Sequence, residues 1–212
     1  MGEMHSQGQD LLRQLGIPRS LDYQPFYCEE NIYRLAAELA AGSHHADFSA
    51  LFISNRQQTC ALLHQRAAPA GEIVLWDYHV VLLLSSGTAG RHWIVDLDSR
   101  LGAVTPAETY LRATFGLQVA PSLRPRFRQV GGAEFLDSFS TDRRHMREQE
   151  QWLQPPPPWE PPCGAHAGSC HELPRFLDTS GGGPGEVLTL PELAEELSVT
   201  YPQREPDRVR RR

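Results

Sequence analysis

Apolar residues recur along this chain with two different periods, and the periods predict its elements. Ile32, Leu35, Ala36 and Leu39 share the spacing of one helical face, which predicts a helix over residues 29–41 that begins just after Cys28. Residues 49–54 read as a short strand. Residues 73–84 and 92–97 read as two longer strands joined by the turn-rich segment Ser85-Ser86-Gly87-Thr88-Ala89-Gly90. A second helix is expected over residues 105–115, with Pro106 early and Gly116 at its end, and an edge strand over 126–130. A short amphipathic segment spans residues 11–15. Beyond residue 151 the prolines at 155–158, 161 and 162 favour extended chain with few backbone donors. Gly181 to Gly183 mark a flexible turn, and residues 191–197 a last short helix opened by proline. A helix ahead of mainly antiparallel strands predicts the α+β class.

Composition changes this picture only at its edges. A chain of 212 residues that is 40% apolar suits one domain with a real core. Residues 1–22 read as a polar lead-in, 23–200 as the single domain with the proline segment 155–162 inside it, and 201–212 as a disordered basic tail. A net charge of -6 argues against a general nucleic-acid binder, which needs a basic face. No apolar run approaches the roughly 20 residues that span a bilayer, and the polar start lacks a secretory signal. A cytoplasmic monomer is therefore expected, nuclear as well in a eukaryote. The four cysteines fit no secreted disulfide framework and read as thiols. Every one of the 20 basic residues is arginine, which excludes lysine Schiff-base chemistry and the P-loop lysine.

The candidate chemistry starts at Trp76-Asp77-Tyr78-His79-Val80-Val81-Leu82-Leu83-Leu84. On a continuous strand, Asp77, His79 and Val81 share one face, and Trp76, Tyr78 and Val80 the other. If residues 85–90 form the loop, paired residue numbers sum to 175 and Asp96 lies opposite His79. A register shifted by one residue on each strand brings Asp98 there instead. Either carboxylate would orient the imidazole and stabilise its cation, although such a pair also serves as a plain structural contact in a half-buried hairpin.

Cys28, ahead of a helix, is the candidate nucleophile. A helix N-terminus lowers a thiol's pKa and offers amides to an oxyanion, while Glu29 and Glu30 oppose the first effect. Taken alone, a cysteine such as Cys28 is more often an inert small packing residue. Taken with His79 and a downstream aspartate, it gives the order Cys, His, Asp of a thiol acyl-transfer enzyme. Cys163, His166, Cys170 and His171 have no common zinc-module spacing, and no metal is expected there. Asp142-Arg143-Arg144-His145 either lines a cleft or supplies a helix cap and a structural ion pair.

Several blocks resemble one family. Tyr27-Cys28-Glu29-Glu30-Asn31-Ile32, the Trp76–Leu83 block, Asp96-Leu97-Asp98, Phe52-Ile53-Ser54-Asn55, Asp142-Arg143-Arg144-His145-Met146 and the 155–158 proline run are similar, in order, to motifs of protein N-terminal glutamine amidohydrolases. The resemblance implies a papain- or transglutaminase-like α-β sandwich, no metal or organic cofactor, and a catalytic triad of Cys28, His79 and Asp96. It implies hydrolysis of the side-chain amide of an N-terminal glutamine to glutamate and ammonia, through a thioester, feeding an N-degron pathway. Proteins and peptides bearing that residue would be its partners. Asp77 and Glu30 are candidates for the substrate's α-ammonium. A papain-like cysteine peptidase, a transglutaminase-like acyltransferase and an inactive module that binds protein N-termini are the alternative readings.

Overall fold

The computed structural model describes residues 12, 15–18, 20–42, 47–86 and 90–200. The amphipathic 11–15 segment falls mostly, and the 201–212 tail wholly, outside them. Six strands form the central sheet: β1 (Asp47–Ser54), β4 (His79–Ser86), β5 (Arg91–Val95), β6 (Val104–Pro106), β7 (Arg126–Gly131) and β10 (Glu186–Thr189). Their order is β10-β7-β1-β4-β5-β6, and every pairing is antiparallel. Two ribbons stand apart, one of β2 (Cys60–Leu62) with β3 (Val74–Trp76), the other of β8 (Arg147–Glu148) with β9 (Gln151–Trp152). The helices are α1 (Cys28–Ala41), α2 (Ala107–Phe115), α3 (Gly132–Ser138), α4 (Leu173–Leu177) and α5 (Leu190–Glu196). The α+β class is as expected.

Strand alternation divides the core into two layers. Ala50, Phe52, Val80, Leu82, Leu84 and Val130 pack against Ile32, Leu35 and Leu39 of α1, with Phe135 and Phe176 from α3 and α4. The intervening residues Leu51, Ile53, Val81, Leu83 and Phe127 pack on Tyr110, Leu111 and Phe115 of α2 and on Leu193 of α5. Helices therefore cover both faces, and the central strands are buried on each side.

The structure corrects four expectations. Residues 73–84 are not one strand. The ladder stops after Trp76 and a new one starts at His79, because β3 pairs with β2 while β4 pairs with β1 and β5. Asp77 makes the break: its Oδ1 accepts from the Tyr78 amide at 2.9 Å, and its carbonyl accepts from Ser54 Oγ at 2.8 Å. The β4–β5 ladder also runs further than expected, to Ser86 opposite Arg91, so paired numbers sum to 177. Residues 126–130 are not an edge; β10, which has no clear pattern of its own, lies outside them. Finally, the helix expected from 105 starts at Ala107, because residues 104–106 complete the sheet beside β5.

Candidate active site

The start of α1 is built by contacts from both directions along the chain. Asn31 clamps the backbone of Gln24, accepting from its amide and donating to its carbonyl, each at 2.9 Å. Between them Phe26 adopts φ 68°, a left-handed conformation costly for a bulky residue. The proline run then covers the helix start. Tyr27 Oη donates to the Gln154 carbonyl, and Gln24 Nε2 to that of Pro155. Glu30 is fully buried, held by Arg143 at 2.7 and 2.8 Å and by Trp159 Nε1 at 2.9 Å. Arg143 also donates to the carbonyls of Pro157 and Trp159. The 142–145 block thus supplies a structural ion pair, and Asp142 pairs with Arg144.

His79 and Asp96 meet. Nε2 of His79 lies 2.9 Å from Asp96 Oδ1, and both residues are almost wholly buried. The observed register would set Asp98 across from His79, yet Asp96 is the partner. The β4–β5 ladder ends at Val95, where Asp96 begins a turn: its Oδ1 accepts from the Asp98 amide and its carbonyl from Ser99. That turn swings the Asp96 carboxylate onto the imidazole. Gln65 Nε2 and Tyr110 Oη fill Oδ2 at 3.1 and 2.8 Å, and Tyr23 Oη donates to Asp98 at 2.6 Å. The Trp76 ring stacks on His79 at 5.5 Å with planes 13° apart, a contact that the break at Asp77 permits and strict alternation forbids.

The pair is electrostatically matched. Burial alone would raise the Asp96 carboxyl's pKa, but His79, Gln65 and Tyr110 outweigh it and hold the value below normal. Burial would likewise depress His79, and Asp96, with Asp98 and Glu29, lifts it above normal instead. Nδ1 of His79 is buried with no hydrogen-bond partner.

Cys28 is the first residue of α1 and is buried. Its thiol donates to Glu29 Oε2 at 3.7 Å, and no hydrogen bond joins it to His79 among the described residues. The helix start does not lower this thiol's pKa. Burial, then the charges of Glu29 and Asp98, push it well up, with a backbone hydrogen bond at Val80 acting the other way.

Sequence reasoning missed the supports of this site. Gln65 and Tyr110 hold Asp96 from a loop and from α2, and Tyr78 Oη donates to Glu29 Oε2 at 3.1 Å. Of these, Tyr78 carried a signal in its family block and Tyr110 in its place on the buried face of a predicted helix, while Gln65 carried none. Glu30 and Asp77, the candidates for ammonium recognition, are committed to Arg143 and to the Tyr78 amide. His79, Asp96 and Asp98 are the one set of three metal-ligand types gathered within 4.8 Å among the described residues. Both oxygens of Asp96 and Oδ1 of Asp98 already accept hydrogen bonds. In the 163–171 segment, His166 bonds Asp137, and Cys170 contacts Asp142 and Arg144.

A buried imidazole–carboxylate pair and a cysteine at a helix start thus stand in one α+β frame. The chain matches the N-terminal glutamine amidase family model over residues 23–197, and it belongs to that family. It is 35% identical to the protein N-terminal glutamine amidohydrolase of Bos taurus, over 83% of this chain and 86% of that protein. The Homo sapiens protein of that name is 36% identical over 82% and 87%, and the Arabidopsis thaliana one 35% over 75% and 76%. The chain is thus an enzyme that hydrolyses amide bonds.

Proposed function

We propose that this enzyme deamidates the side chain of an N-terminal glutamine in proteins and peptides, using Cys28, His79 and Asp96, within a papain- or transglutaminase-like architecture. The observation that carries the proposal is the buried His79–Asp96 pair in a chain of this family, with Cys28 at the start of the helix that packs on the His79 strand. With Nε2 held by Asp96, the unpartnered Nδ1 is the nitrogen left to act as base. It takes the Cys28 proton as the sulfur attacks the side-chain amide carbon. The pair is open before substrate binds, as catalytic hydrogen bonds commonly are. The raised thiol pKa fits a proton transferred during attack and not a standing thiolate.

The first amides of α1 have no intrahelical acceptor and no side-chain cap, so they suit the tetrahedral oxyanion. The imidazolium then gives its proton to the departing ammonia. A water deprotonated by the same imidazole cleaves the thioester, releasing an N-terminal glutamate and the free thiol. Where an arginylation pathway exists, that glutamate marks the protein for degradation.

The test is ammonia release from matched peptides that begin with Gln, with Asn, or with acetylated Gln. Only the first is expected to react, and Cys28→Ala is expected to abolish turnover. Ammonia from internal glutamine would make the enzyme a general glutaminase. Cleavage of the backbone, seen as a mass loss of whole residues, would make it a peptidase.

A further inference from the structure

Glu29 is a carboxylate beside the thiol whose partners are incomplete. Its side chain is fully buried, and its Oε2 accepts from both Tyr78 Oη and the Cys28 thiol. Its Oε1 is buried with no hydrogen bond. His145 Nε2 approaches that oxygen to 3.5 Å without bonding it, because its ring nitrogen pairs with Tyr78 Oη at 3.2 Å. Glu30, one residue on, is by contrast ion-paired with Arg143 and also accepts from the Trp159 indole. A buried carboxylate with an open oxygen is costly unless a cation arrives to meet it.

The dimensions identify that cation. Four bonds separate the side-chain amide carbon of glutamine from its α-nitrogen, a reach of about 5 Å in extended form on standard bond lengths. The Cys28 sulfur and Glu29 Oε2 are 3.7 Å apart. A glutamine whose amide carbon sits on the sulfur therefore carries its own α-nitrogen into the range of Glu29. We propose that Glu29 receives the substrate's α-ammonium and is the residue that restricts the enzyme to chain termini. This rests on the proposed deamidation of N-terminal glutamine. An internal glutamine places a neutral peptide nitrogen there, which brings the buried carboxylate no opposite charge. Tyr78 holds the carboxylate in place from the other oxygen, and His145 Nε2 lies 3.5 Å from Oε1.

The test pairs two substrates with one substitution. A Gln-peptide and its desamino analogue, in which hydrogen replaces the α-amino group, are assayed with the wild-type enzyme and with Glu29→Gln. Sites built around a substrate hydrogen bond reject the analogue lacking it by about 10⁴-fold. Wild type is expected to prefer the amine by that order in kcat/KM, and Glu29→Gln by less than about tenfold. If Glu29 serves only packing or as a counter-ion for His145, both substrates lose rate together and the ratio stays at its wild-type value, which overturns the proposal. Should wild type release no ammonia from the Gln-peptide, the deamidation reading itself fails, a separate result.

If Glu29→Gln does not fold, the Glu29 carboxyl carbon-13 resonance in Cys28→Ala protein decides. It is expected to move on adding the Gln-peptide and not the desamino peptide. Equal response to both, or none to either, overturns the assignment.

Discussion

Asp96 shows how one side chain can be specified by the whole site. Four donors converge on its two oxygens, from His79, the Asp98 amide, Gln65 and Tyr110. Such a carboxylate fixes the imidazole tautomer and stabilises its cation, the orienting part of a triad. Asp96→Asn is expected to lower kcat by on the order of 10³ to 10⁴ with little change in KM, as the equivalent amide substitution does in a serine triad. A loss below about tenfold in steady-state ammonia release would leave Asp96 a structural residue. At this scale the sequence was legible in part. His79 and its choice between Asp96 and Asp98 followed from spacing alone, but the decision came from the turn at Asp96, which no pairing arithmetic contains. Cys28 was legible as a residue and not in its electrostatics. The helix start suggested a lowered thiol pKa, and burial with Glu29 reversed it.

The element that matters most is α1, since it carries Cys28 and Glu29 at its first turn. Its position depends on the buried pair of Glu30 and Arg143, which ties that turn to the 142–160 segment. Removing one member strands the other charge in the interior. Glu30→Met or Arg143→Met is expected to cost about 3–5 kcal/mol, and the double change to recover part of that. Urea unfolding of the three variants checks it; additive losses in the double variant would contradict a coupled pair. The helix itself was readable from its apolar spacing, to within one residue of its start. The partner of Glu30 lies 113 positions away, and its identity as an ion pair was one of two open readings.

For the whole molecule, the buried His79–Asp96 pair ties stability to pH. The Asp96 carboxyl titrates below its ordinary 3.8 in the folded chain, so its contribution is present above that value and lost as pH falls through the lowered one. His79 titrates above its ordinary 6.5, so its contribution is present below 6.5 and lost as pH rises through the raised value. Both contributions coexist between 3.8 and 6.5. The unfolding midpoint of wild type should exceed that of a His79→Gln, Asp96→Asn double variant most in this window, and the gap should shrink on either side. A gap that does not vary with pH would mean that the pair contributes no linked protons. The molecule's class was visible before its topology. Period-two and helical spacings gave α+β, because each element must bury one face. The order β10-β7-β1-β4-β5-β6 was not, because strand neighbours are chosen across long intervals of sequence and β10 has only half-buried, weakly patterned residues.

The sequence by itself determined part of the local picture: the approximate places of α1, α2, α5 and strands β1, β4, β5 and β7, which residues carry thiol, imidazole and carboxylate chemistry, and which family blocks they occupy. These follow from neighbours a few positions apart, where backbone geometry sets the period. Only the tertiary structure decided that the strand through Trp76 breaks at Asp77 to lay the indole on His79. It alone decided that Asp96 turns inward past a register favouring Asp98, and that Glu30 is spent on Arg143 while Glu29 keeps an open oxygen. Each of these is a competition for hydrogen bonds among groups brought together by burial, and burial is a property of the folded whole.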